Sequence, residues 1–222
     1  MKAIDWTSWQ LADSAFPSGG FAHSAGLESA WREGLVTDVE SLARFLETLV
    51  QDTSRGVLPF LVAVHSGEQT LVRVDEWCDA FVSNHVANRA SRVQGRSFLA
   101  AAEAAFGVPE IVELRERVAV GELCGHHAPL VGRVTSLLSL PLQRTVAWYL
   151  YTQLRDVVSA ATRLNIVGPL AGQSLITHFG RFVQHEAEEA VHRRVEEVAI
   201  TSPLMELVAT RHDQLYSRLF QS

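Results

Sequence analysis

Cysteine is scarce in this chain. Cys78 and Cys124 are the only two in 222 residues. They give no disulfide framework and no Cys-x-x-Cys pair, so a reducing, cytoplasmic setting is the default expectation. Positive charge is not in excess either. The formal net charge is −6, which argues against bulk nucleic-acid binding. No uncharged apolar run reaches the ~18 residues of a membrane span. The richest stretch, 128–142, is interrupted by Arg133. The N-terminus lacks a basic region followed by an apolar one, so no signal peptide is expected. Apolar/polar alternation joined by Asn-Gly or Asp-Gly turns is missing, which removes the usual signs of strands. Catalytic signatures are missing too. There is no Gly-x-x-x-x-Gly-Lys-Ser/Thr phosphate loop, no Gly-x-Ser-x-Gly elbow and no His-Glu-x-x-His pair. Ser18 and His23 find no convincing orienting acid, so the chain is not expected to be an enzyme.

What is present is helical periodicity. Asp38 is placed to cap a helix carrying Leu42, Phe45, Leu46 and Leu49 on one face. Helices are expected around Leu71–Phe81, from about Asn84 to Ala105, and over Glu110–Arg117, His127–Leu138 and Leu142–Leu164. Val82, Val86, Ala90 and Val93 would form the apolar face of the second of these, with Gly95 marking a close approach. Leu170–Phe179 and Phe182–Val198 read as two more, and Ser202-Pro203 opens a last one. The stripe Val146, Leu150, Leu154, Val157, Ala161 and Leu164 marks a central helix, with Trp148, Tyr149 and Tyr151 filling the space around it. With 47% hydrophobic residues and no repeat or long linker, one all-α domain over 1–222 is expected. It would hold roughly eight to ten helices and bury about 70% of the unfolded chain's surface.

Nine histidines raise the question of metal. His126 and His127 follow Cys124 without regular zinc spacing. Glu189 and His192 have a di-metal spacing but no second copy. A metal-binding domain using His126, His127, Glu189 and His192 is the alternative reading of the chain. His178, His185 and His192 recur every two helical turns, too far apart to share one ion. The stripe Arg89, Arg92 and Arg96 is either a solvated face or a surface for an acidic partner.

The stretch 11–28 stops one helix and starts another. Pro17 disfavours helix at Phe16, and Gly19 and Gly20 permit a sharp corner, with a new helix expected from about Phe21. By local physics this corner is either only a turn or a built surface. Its residues Gln10, Leu11, Asp13, Pro17, Gly19, Gly20, Phe21, His23, Ser24, Gly26, Leu27 and Glu28 resemble the N-terminal signature of the urease accessory protein F (UreF) family. Ser18, Ala22 and Ala25 depart from it. Asn88–Gly95, with Arg92, is similar to a second family block. The segment 147–173 is similar to a third. The tail around Tyr216-Ser217-Arg218-Leu219-Phe220 is similar to the family C-terminus, with Asp213 where the family has Glu.

The resemblance implies an all-α, dimer-forming scaffold for nickel urease maturation. It implies binding to UreD (UreH), recruitment and modulation of the GTPase UreG, and delivery of nickel to apo-urease. Nickel would touch this chain only weakly and in transit, with no tight cofactor. Phe21, His23, Glu28, Arg92, Tyr216, Arg218, Leu219 and Phe220 become candidate partner-binding residues. Pro17, Gly19, Gly20 and Gly26 would shape the turn. For His23 and Glu28, ordering the corner is an equal alternative. The segment 213–222 either packs on its own domain or orders on a partner.

Overall fold

The computed structural model describes residues 6–222. The first five residues of the expected 1–222 domain, and the start of the segment read for a signal peptide, lie outside them. Eleven α-helices are present among the described residues, one more than the upper expectation, and there is no strand. They are α1 (Trp6–Ala12), α2 (Leu27–Arg32), α3 (Val39–Gly56), α4 (Leu58–His65), α5 (Leu71–Phe81) and α6 (His85–Phe106). There follow α7 (Pro109–Ala119), α8 (His127–Leu137), α9 (Leu142–Arg163), α10 (Pro169–Ala190) and α11 (Pro203–Thr210). No helix of the described residues is long and apolar enough to cross a membrane.

The central helix is α9, as its apolar stripe predicts. Val146, Leu150, Leu154, Val157 and Ala161 are buried, and α10, α3, α4, α1, α2 and α8 pack around them. Tyr149 turns inward, whereas Tyr151 faces solvent. A second buried helix was not expected. Every residue of α4 from Leu58 to Val64 is buried. A helix apolar on all sides is stable only when enclosed. Here α8 lies against α4 so closely that a Cβ on Gly132 would strike the Leu61 carbonyl.

The helix boundaries follow local chemistry. Asp38 caps α3, its carboxylate accepting from the Ser41 amide at 2.8 Å. Asn84 caps α6 through the Val86 and Ala87 amides, at 3.0 and 3.3 Å. That cap starts α6 at His85, so Val82 is not on its apolar face but closes the C-terminus of α5. Gly95 does mark a close approach, because the Gly125 carbonyl and Leu130 occupy the space of its Cβ.

Two expectations fail around Gly180. The helices Leu170–Phe179 and Phe182–Val198 are one continuous α10 that ends at Ala190. Glycine inside a helix weakens it by about 1 kcal/mol, and the buried stripe Leu175, Phe179, Val183, Ala187 and Ala190 outweighs that. Beyond Ala190 the chain turns away, and the Ala199 amide bonds to the Arg55 carbonyl.

Candidate partner-docking site

The glycine corner is longer than one turn. Gly19 takes φ 83°, and Gly20–Ala22 then form a single 3-10 turn. The helix expected near Phe21 begins only at Leu27, after Gly26 with φ 83°. Both φ values lie where a side chain is strained and glycine is not. Gly20 meets a second demand, since the Asp156 carboxylate of α9 occupies the space of a Cβ there.

The corner is locked to the C-terminal tail. Glu28 is 0% exposed. Its Oε1 accepts from the Leu219 amide at 2.8 Å and its Oε2 from the Phe220 amide at 3.1 Å. His212 Nε2 lies 3.4 Å from the same carboxylate. One step along, the Ser24 amide and hydroxyl both donate to the Ser222 carbonyl, at 2.6 and 2.9 Å. The Gln221 amide donates to the Ala22 carbonyl at 2.8 Å, and His23 Nδ1 pairs with the Ser222 hydroxyl at 2.6 Å. Charge-assisted bonds to backbone amides are among the stronger hydrogen bonds in proteins. His23 and Glu28 are therefore buried and order the chain itself, His23 through Nδ1 and Glu28 through both carboxylate oxygens, and Phe220 is buried with them. In this conformation 220–222 packs on its own domain.

The outer side of the same lock is open. Phe21 is 61% exposed, Leu219 57% and Tyr216 fully so. Arg218 is exposed and pairs with Asp213 at 3.1 Å. Asp213 also accepts two bonds from Arg89, at 3.2 and 2.7 Å, and lies 3.1 Å from His85. The Arg89 hydrogen bond, ahead of the other causes, holds the Asp213 carboxyl below its usual range. Arg92 donates to the Cys124 carbonyl at 3.0 Å and stands 3.8 Å from Asp79. Arg96 remains exposed next along the stripe.

Behind the corner lies a cavity of about 250 Å³, lined among others by His23, His127, Tyr149, Gln153, Asp156 and Ser222. Both ring nitrogens of His127, and Nε2 of His23, are buried without a hydrogen-bond partner. Burial pushes the His127 imidazole down to about 4, with His23 contributing less. It pushes His23 to about 4 as well, followed by His212 and Arg89. Both rings are thus neutral near pH 7, and His127 keeps one ring-nitrogen lone pair without a hydrogen-bond donor.

The four histidine and glutamate positions of the metal reading are not brought together. His126 is engaged by Asp79 at 2.9 Å and Ser91 at 3.1 Å. Glu189 and His192 are exposed near the end of α10. Among the described residues no three His, Cys, Asp or Glu side chains assemble in a way that could hold an ion. Sequence reasoning missed Asp75, whose fully buried carboxylate accepts the Gly125 and His126 amides at 2.9 Å each. It passed over Asp156, and it placed Arg163 in the family-like segment 147–173 without a role, although both sit under the corner. Each looks like an ordinary charged residue of an amphipathic helix, and its periodicity does not tell what it faces.

Fold and site together define an all-α bundle whose N-terminal glycine corner and C-terminal tail form one locked surface. The sequence profile of the UreF family matches residues 36–180, and the chain belongs to that family. It is similar to urease accessory protein F of Arabidopsis thaliana, with 38% identity over 226 residues, covering 100% of this chain and 94% of that protein. The rice protein of the same name (Oryza sativa subsp. indica) is 35% identical over 219 residues, covering 97% and 84%. UreF of Bradyrhizobium diazoefficiens is 31% identical over 214 residues, covering 94% and 87%.

Proposed function

We propose that this chain is a non-catalytic scaffold for urease maturation. It binds UreD (UreH), recruits and modulates the GTPase UreG, and serves delivery of nickel to apo-urease, as a dimer in the cytoplasm. The observation that carries this reading is the lock between corner and tail. It uses His23, Glu28 and Phe220 as internal fasteners and leaves Phe21, Tyr216, Arg218 and Leu219 outward. Aromatic and arginine side chains held on a rigid frame are the usual energetic centres of protein interfaces. Arg92 and its neighbours Arg89 and Arg96 extend the surface along α6 with donors suited to an acidic partner.

Nickel is cargo in this reading and is not held tightly. The neutral rings of His23 and His127 in the cavity behind the corner offer it single, weak nitrogen contacts.

Size-exclusion chromatography with light scattering tests the proposal, using this chain mixed with UreD and UreG from the same source. A complex of all three, lost with Phe21→Ala, is the expected outcome. No complex with folded partners and GTP present refutes it.

A further inference from the structure

Phe21 is exposed yet not free to turn. The guanidinium carbon of Arg163, the last residue of α9, lies 3.7 Å from the Phe21 ring centroid. The same carbon lies 4.1 Å from the centroid of Phe220. Nη2 of Arg163 donates to the Phe21 carbonyl at 2.6 Å. One planar cation therefore touches a surface ring, that ring's own backbone and a buried ring of the tail. A guanidinium suits this place because it is flat, delocalised and weakly hydrated, which lets it face more than one aromatic ring. Its Nε is buried without a hydrogen-bond partner, while the residue as a whole is half-buried.

We propose that Arg163 is a positioning residue that makes the orientation of Phe21 depend on tail docking, through the guanidinium shared by the Phe21 and Phe220 rings. With the tail seated, Phe220 covers one flank of the guanidinium, and the fork stays on the ring and carbonyl of Phe21. With the tail released, that flank gains water and the fork can swing away. The tail's backbone bonds to Glu28 and Ala22 do not involve the Phe220 ring. Tail seating and ring contact can therefore be separated by substitution. A partner that grips Phe21 would meet a preorganised anchor only when the tail is in place. That consequence rests on the proposed function, whereas the coupling is a property of the chain alone.

The test places 4-fluorophenylalanine at position 21 of the full chain and follows its fluorine resonance. Phe220→Leu and Arg163→Gln are each expected to shift and narrow that signal, with far-UV circular dichroism unchanged. Phe220→Tyr keeps a ring and should keep the signal. Combining Phe220→Leu with Arg163→Gln should move it little further than Arg163→Gln alone. An unmoved signal in Phe220→Leu overturns the proposal, and so do strictly additive shifts. UreG affinity, measured on the same variants, is expected to fall about tenfold in Phe220→Leu. Fluorine coupling without any UreG binding by the unsubstituted chain would support the clamp and count against the scaffold reading instead.

Discussion

Glu28 has no water to share its charge with. It holds that charge by accepting two backbone amides of the tail and facing His212. A glutamine there has only one carbonyl oxygen, so one amide would lose its acceptor. Unsatisfied buried groups cost about 1–3 kcal/mol. Glu28→Gln should lower stability by that amount in urea denaturation and speed chymotryptic cleavage at Tyr216. Wild-type values in both would mean that the lock does not hold the tail. His127 makes a pH prediction. Its folded-state value, about 4, lies below the ordinary 6.5 of an exposed imidazole. The unfolded chain then binds more protons as pH falls. Its contribution is fully present above about pH 6.5, is lost on the way down to about 4, and levels off below. The loss from this residue is about 3 kcal/mol. The urea midpoint should drop across that window, and His127→Leu should reduce the drop, with His23 supplying a further part of it.

Glycine in a helix means different things in different helices, and α6 and α10 carry the contrast. A Cβ at Gly95 of α6 would collide with the Gly125 carbonyl, whereas a Cβ at Gly180 of α10 would meet nothing within 4 Å. Alanine is the better helix former by about 1 kcal/mol. Gly180→Ala should therefore raise stability by roughly 0.5–1 kcal/mol. Gly95→Ala should lower it by about 1–3 kcal/mol, because backbone must move to admit the methyl. Thermal denaturation of the two variants side by side decides this. Equal effects would mean that the α6 contact with the loop before α8 is loose. The continuity of α10 has the same origin, since its buried stripe overrides a local breaker that faces solvent.

At the scale of the molecule, the chain brings together segments almost two hundred residues apart. Residues 22–28 meet residues 212–222, so the tail contributes both to stability and to the outer surface. If the proposed scaffold role holds, removing 216–222 should weaken binding to UreD at least tenfold by calorimetry. It should also lower the melting temperature by several degrees, because Glu28 loses its amide donors. A lowered melting temperature with an unchanged dissociation constant would leave the tail a purely internal role.

The sequence alone determined that the fold is all-α, where helices such as α3, α5, α6 and α9 run, and which helix is central, but not the buried α4 or the continuity of α10. Pro17, Gly19, Asp38, Pro109 and the α9 stripe act through their immediate neighbours, within a few residues. Membership of the UreF family was equally legible, since its blocks are linear motifs. Tertiary structure alone decided what those residues face. Glu28 and Leu219 are 191 residues apart, and no local pattern pairs them. A charged residue on a short helix reads the same whether water or the chain's own tail surrounds it. The same holds for Asp75 under the α8 terminus, for Arg163 between two rings, and for His127 inside the cavity. Their roles follow from desolvation, which depends on how α6, α8, α9 and the tail come together in space.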